Sequence, residues 1–593
     1  MTTMRVLNRF SKWKSKHLTH QQFIMLLASI MGFAAGLGAV VIKNITHLIQ
    51  HLLEGKLIVN YHDALYFIFP LIGLAISLVI VKYVIKKDIG HGIPSTLYAI
   101  SKRKGIMKSH QMYASIITAP LTVGFGGSVG LEGPTVATGA SLGSNISRLF
   151  KMNQTSRTLL LGCAAAGAMS SIFKAPIAAI IFAIEVFSLD LTLGSMVPLL
   201  LASVSAILTS YFFFGPATLI PFTLKDEFHI SEVPFYLILG VLTAFCSMYF
   251  TSVYFKIHHF FEKLKSPWHR LLLGGLGLGI LIYFIPPLYG EGYNMINNLL
   301  AENYMNALGT NFFNAFIDNI WMVIALLVGL ILFKIVATSL TFGAGGIGGI
   351  FAPVLFMGSA LGHVFALIVN QLGFHRPISV SSFTMVGMAG LMAGVLHAPL
   401  TAIFLIAELT GGYQLFVPLM ITASVSYMIT NWFQPHSVYT MELAQRGELR
   451  THNKDRTVLT MLNIQQLIEK NFIPIQVGMN LGDVIHQGVI KSSRNIFPVI
   501  DKNSKFRGII LLDDLRPIMF DQKIYDEVKV SDIMQRAPEM IDLDKDSIDD
   551  IMKKFQESDA WNLPVVQDEK YIGFISKSKL LTAYRQKLIE VTV

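Results

Sequence analysis

Apolar residues arrive in long blocks between residues 20 and 440, and in short strand-length runs from about residue 450 onward. The first block, Phe23 to Ile42, is about 20 residues long and follows a basic start (Arg5, Arg9, Lys12, Lys14, Lys16). That length spans a bilayer, so it reads as a membrane helix rather than a cleaved leader. A second block, Ala64 to Ile85, predicts another membrane helix. Lys82 lies at its end, and Lys86, Lys87, Lys102, Arg103, Lys104 and Lys108 follow it, while the loop before it holds one lysine. The excess of positive charge places the N-terminus and this later loop on the cytoplasmic side, and the polar C-terminal region with them.

Gly and Pro interrupt many of the later blocks, in "GHGIP" at 90–94, "GSVGLEGPT" at 127–135, "FKAP" at 173–176, "GAGGIGGIFAP" at 343–353 and "LHAP" at 396–399. Broken helices at membrane depth are tolerated where they are buried in protein or line a wet cavity. Isolated glycines, such as those in "GGLGLG" at 274–279, suit close helix packing. The Gly–Pro clusters suit a site built from helix ends. "FKAPIAAIIFAIEVF" at 173–187 also matches "LHAPLTAIFLIAELT" at 396–410, aligning Pro176 with Pro399 and Glu185 with Glu408. Two related halves are a transporter or channel architecture. The match leaves open whether the halves are parallel or inverted.

Composition narrows the class. The chain has 593 residues, 53% apolar and 14% charged, with a formal net charge of +10. An average soluble domain is about 25% charged. Basic residues in short runs between apolar blocks indicate membrane topology, so nucleic acid is not an expected partner. Cys163 and Cys246 lie far apart in apolar segments and give no disulfide framework. No nucleophile–base or metal constellation is read within the apolar runs, so an enzyme is not expected.

A helix N-terminus carries unpaired N–H groups and about half a positive charge. Several such ends attract an anion without a fixed full charge, so the ion can also leave. "GHGIP" (His91, Gly92, Ile93), "GLEGP" (Gly133) and "GIFAP" (Ile350, Phe351) therefore predict an anion path. Glu132 sits inside the second motif. An ionisable residue at membrane depth is a functional candidate. As a carboxylate it can occupy an anion site as a tethered competitor, and on protonation it can swing away. The bland alternative is a first-turn capping glutamate.

These motifs, in this order, resemble the chloride channel and chloride/proton antiporter (ClC) family over residues 20–588. The resemblance implies a polytopic helical membrane protein of two inverted halves with broken helices. It also implies a homodimer with one pore per subunit, the repeat segments and the helices after them supplying the interface. The anion would be held by the N–H groups of Ile350 and Phe351 and by the hydroxyl of Tyr439 in "QPHSVYTMEL", with Glu132 as the gate. The chain departs from the pattern in three places. His91 replaces a serine. Leu131 stands where many members carry a basic residue, implying weaker attraction at the outer mouth. Val186 stands where antiporters usually carry an internal proton glutamate. Valine carries no proton, and Glu185 points about 100° away on a helix. The expectation is a voltage- or pH-gated chloride channel; the alternative is an antiporter that manages without that glutamate. A fluoride exchanger fits less well, because Pro134 and Tyr439 keep the chloride-type pattern.

The boundary of the membrane region falls near Arg446 to Asn453, in "QRGELRTHNKD". The expected parts are a basic cytoplasmic tail at 1–20, a transport domain at 21–446 and a linker at 447–462. Beyond the linker, "NIFPVIDKNSKFRGIILLDDL" at 495–515 aligns with "WNLPVVQDEKYIGFISKSKLL" at 561–581. This resembles a cytoplasmic α/β pair of cystathionine-β-synthase (CBS) domains, at 463–520 and 529–588. Such pairs can bind an adenine nucleotide. The pattern is incomplete in both repeats, with Leu511 and Asp514 in the first and Ser576 and Lys579 in the second. Asp514 and Ser576 are the candidate contacts. No cofactor is required for transport.

Overall fold

A computed structural model describes residues 17–53, 62–87, 89–90, 92–216, 219–220, 228–308, 319–373, 376–446, 448, 462 and 464–592. His91, the N-terminal tail to residue 16 and most of the expected linker lie outside the described residues. The chain divides into two compact units, Met1–Leu449 and Arg450–Val593.

Among the described residues of the first unit, eight helices are long and apolar enough to cross a bilayer. The first runs His20–Leu53, well past the apolar block that predicts it. The second, His62–Val79, ends in a π-helical turn over Ile80–Ile85. Gln154–Phe173 and Phe351–Leu372 are almost wholly buried, whereas the other spans keep one face open. Glycine makes that central packing possible. A Cβ at Gly32 would fall 2.1 Å from the Ala202 carbonyl oxygen, and one at Gly362 2.0 Å from that of Phe383. Without a hydrophobic gradient between helix and lipid, such close backbone approach is what holds membrane helices together.

The internal repeat persists to single backbone angles. Lys174 and His397, which close the helices before the two "AP" segments, are both left-handed, with φ of 57° and 55°. Gly126 and Gly345 hold the same turn, with φ of 95° and 93°. The contacts between the halves are reciprocal. Gly130 and Gly349 exchange both backbone hydrogen bonds, at 2.9 and 2.7 Å, in an antiparallel bridge. The Ser128 N–H donates to Thr341 Oγ1, and the Ile347 N–H donates to Thr122 Oγ1, both at 3.1 Å. Farther out, Glu185 on the Pro176–Phe187 helix accepts from the N–H groups of Leu400 and Thr401, at 3.2 and 2.8 Å. Glu408 on the Pro399–Leu409 helix accepts from those of Ile177 and Ala178, at 3.1 and 2.8 Å. Residue i touching j′ while i′ touches j is the signature of a two-fold axis. Each of these two helices has its C-terminal carboxylate on the other's N-terminus, so the halves are inverted.

In the second unit each repeat forms a three-stranded sheet. β1 (Ile475–Gln476), β2 (Ile496–Ile500) and β3 (Phe506–Leu511) lie in that order, as do β4 (Ile541–Asp542), β5 (Asn562–Gln567) and β6 (Lys570–Ser576). The first pair in each sheet is parallel and the second antiparallel. A register shift occurs at Val499/Ile500 and again at the equivalent Val565/Val566. Ahead of the first repeat's strands, Glu469 bridges Phe574 of the second repeat.

Candidate functional site

Three helices start at one place in the first unit. Gly92, with φ of 53°, caps the Ile93–Lys102 helix, and Pro94 lies in its first turn. Glu132 opens the Glu132–Leu149 helix, with Pro134 two residues on. Phe351 opens the Phe351–Leu372 helix, with Pro353 at the same offset. Proline is tolerated in a first turn because no intrahelical donor is needed there. Glycine is needed where the three starts meet. A Cβ at Gly92 would lie 3.1 Å from the Gly133 carbonyl carbon, and one at Gly349 2.8 Å from the Gly133 nitrogen. The two-fold bridge at Gly130 and Gly349 sits beside this point, so both halves supply it.

A cavity of about 30 Å³ opens there. Ile93, Pro94, Gly133 and Gly348–Ile350 line it from the helix starts, and Tyr254, Phe342, Val438 and Tyr439 from the other elements. About 10–15 Å³ of such space holds one water, so the cavity suits one small ion or a pair of waters. None of the lining residues is charged. The Tyr439 hydroxyl is buried and without a hydrogen-bond partner. First-turn N–H groups at 350–351 belong to the set that a helix start leaves unpaired. Donors at a helix start, a spare hydroxyl and no fixed charge can hold an anion and release it.

The structure thus brings together Gly92, Ile93, Gly133, Ile350 and Tyr439. Phe351 contributes its place at the helix start. Its ring turns away from the cavity lining and packs between Phe173 and Phe182, at centroid distances of 5.4 and 6.0 Å. Glu132 is buried, but its side chain is not part of the cavity lining. The carboxylate folds back over Gly130, where a Cβ would overlap Oε2. Oε1 accepts a hydrogen bond from the Tyr293 hydroxyl at 2.6 Å, and Oε2 is buried with no partner. Val186 is half-buried among apolar side chains.

Sequence reasoning passed over the segment that holds Glu132. "LYGEGY" at 288–293 docks onto the loop 124–132. The Ser128 hydroxyl donates to the Leu288 carbonyl at 2.6 Å, the Tyr289 hydroxyl to the Gly124 carbonyl at 3.3 Å, and the Leu131 N–H to Glu291 at 3.0 Å. Lys334, fully buried, donates to the carbonyls of Gly290 and Leu288 at 3.1 and 3.4 Å and lies 4.7 Å from the Phe356 ring centroid. The signal was a lysine inside the apolar run "ILFKIVATSL", which at membrane depth marks a functional neighbourhood. Glu291 adds a carboxylate beside Leu131, where a basic residue was already missing.

In the second unit the two nucleotide candidates sit at equivalent strand-to-helix junctions of different repeats. Ser576 Oγ donates to Glu469 at 2.6 Å, and Asp514 accepts from Gln535 at 2.9 Å. Glu469 also pairs with Arg494 at 2.5 Å.

The voltage gated chloride channel (CLC) profile matches residues 72–431, more than half of the chain, and the CBS domain profile matches residues 530–586. A ClcB-like protein of Ralstonia nicotianae is 29% identical over 385 residues, covering 64% of this chain and 85% of its own. The H(+)/Cl(-) exchange transporter ClcA of Salmonella paratyphi B is 28% identical over 438 residues, covering 71% and 88%. Among solved structures, a slow cyanobacterial Cl-/H+ antiporter superposes with a TM-score of 0.60 at 24% identity, covering 72% of this chain and 98% of its own. A eukaryotic CLC transporter reaches 0.58 at 18% identity, covering 94% and 97%. The chain belongs to the voltage gated chloride channel family and has its transporter fold, with a CBS domain in the C-terminal unit.

Proposed function

We propose that this member of the family conducts chloride, or another small anion, through the cavity at the three helix starts, with Glu132 as its gate. One observation carries the reading: helix N-termini from both inverted halves meet at an uncharged cavity that holds an unpartnered tyrosine hydroxyl. Ile350 and Phe351 offer N–H groups, Tyr439 its O–H, and Gly92, Ile93 and Gly133 the close backbone walls. Glu132, adjacent to Gly133, rests at the edge of the path, and release of its carboxylate would open it. The role is transport rather than catalysis, and it needs no cofactor.

The chain would work as a homodimer in the bilayer with both termini cytoplasmic. The helices Leu193–Phe214 and Phe416–Phe433 expose Leu200, Leu208, Phe212, Met428 and Trp432, an apolar face for lipid or a second copy. The tail would regulate the pore. An adenine nucleotide there could act by binding two pore states unequally. Asp514 and Ser576 would have to give up their present partners to hold it.

Val186 supports uncoupled conduction. The second reading, proton-coupled exchange, is favoured by the Salmonella relative, which is named as an exchanger. The reversal potential of the purified protein in a bilayer tests both. A potential that stays at the chloride value when a pH gradient is added supports a channel; one that shifts in fixed ratio supports an exchanger. Glu132→Ala should raise anion flux and flatten its pH dependence. Unchanged flux and an unchanged pH response would overturn the gate.

A further inference from the structure

We propose that Tyr293 is a latch on the gate: its hydroxyl holds the Glu132 carboxylate in a closed resting position at the start of the Phe351 helix, and the 288–293 strap fixes the position of that hydroxyl. The inference rests on the reading of Glu132 as the gate and deepens it. The geometry supports it in three ways. The Tyr293 hydroxyl, at 2.6 Å from Oε1, is the one side chain that hydrogen-bonds the Glu132 carboxylate among the described residues, with the backbone N–H groups at 132 and 352 beside it. Tyr293 is itself placed by strong constraints. Gly292, with φ of 89°, lies so close to the Phe356 ring that a Cβ there would come within 2.4 Å of it. The strap is then pinned at both ends, by Ser128, Tyr289 and Lys334 before Gly292 and by the helix Tyr293–Leu300 after it.

A gate that moves must break this bond, so the hydroxyl acts on the resting position of Glu132 and not on the anion. A phenol donates well to a carboxylate and less well to a neutral carboxyl. Protonating Glu132 would therefore loosen the latch, and the latch in turn would tune the pH at which flux rises. The other titratable groups that face Glu132 are Glu291 and Tyr439, while Lys43 and Lys334 act on Glu291.

The test is Tyr293→Phe in the full-length protein, reconstituted in liposomes, with chloride efflux read against pH. Tyr249→Phe removes a hydroxyl that bonds the Leu332 carbonyl, away from the strap and from Glu132, and serves as the structural control. The latch predicts that Tyr293→Phe raises flux several-fold at neutral pH and moves the half-maximal point upward by about one pH unit. It also predicts that Tyr249→Phe leaves that point in place, and that the Tyr293→Phe effect disappears in a Glu132→Ala background. A wild-type profile in folded Tyr293→Phe would overturn the latch, as would an effect that persists in Glu132→Ala. An inert Glu132→Ala would instead overturn the gate reading itself.

Discussion

The carboxylate of Glu185 offers the sharpest quantitative test, because the two-fold relation supplies its own control. The helix Pro399–Leu409 begins after Ala398, which has no side-chain acceptor, and Pro399 has no N–H. The first-turn donors without an intrahelical acceptor are then those of Leu400 and Thr401, and Glu185 takes both, together with the Thr401 hydroxyl at 2.7 Å. Losing an N-cap costs about 1 kcal/mol. Losing a carboxylate at a partly buried helix start costs up to about 2 kcal/mol more. Glu185→Ala should therefore destabilise the folded protein by about 2–3 kcal/mol. Glu408 performs the same role on Ile177 and Ala178, but Ala178 stands where the other half has Thr401, so the third bond is missing. Glu408→Ala should cost about 1 kcal/mol less, the net worth of one hydrogen bond. Equilibrium unfolding in mixed micelles, followed by tryptophan fluorescence, measures both. The same two variants should leave the reversal potential where the unmodified protein has it. A shift in reversal potential without loss of stability in Glu185→Ala would refute the capping argument and put Glu185 on a proton path. An equal or larger loss in Glu408→Ala would refute the accounting by bond number.

Gly349→Ala should abolish anion flux while the chain still reaches the membrane, since its Cβ would press to 2.8 Å on the Gly133 nitrogen and close the meeting point of the helix starts; liposome efflux against surface-labelled protein checks this. In the second unit, the Ser547 hydroxyl and N–H hold the Asp550 carboxyl below its usual range at the start of the Ile548–Ser558 helix. The folded value is depressed, so the stabilisation is complete above the unfolded value near 3.8 and is lost as pH falls below it. Hydrogen exchange in that helix should accelerate relative to the rest of the unit only below about pH 4.

Backbone constraint decided what could be read in advance. Left-handed turns favour glycine, and proline is best tolerated in a helix's first turn, so the three helix starts and the repeat were legible as residue types. The orientation of the halves was not, because Glu185 and Glu408 match in sequence whether the repeat is parallel or inverted. Only their reciprocal bonds distinguish the two. The first helix outran its apolar block because Lys43 is accommodated 5.1 Å from the Phe214 ring centroid, a contact that sequence spacing does not announce. Glu132 illustrates the deeper limit. Its type and depth mark it as a gate candidate. The structure adds what holds it, a tyrosine 161 positions away. A hydroxyl that reaches a carboxylate across such a distance leaves no periodicity and no turn residue of its own. What the sequence does contain is the pair of glycines around Glu291, and their positive φ values, 64° and 89°, bend the strap so that Tyr293 arrives at Glu132. The rule that made the helix starts legible therefore applies to the strap as well: glycine marks where the backbone must bend toward the site.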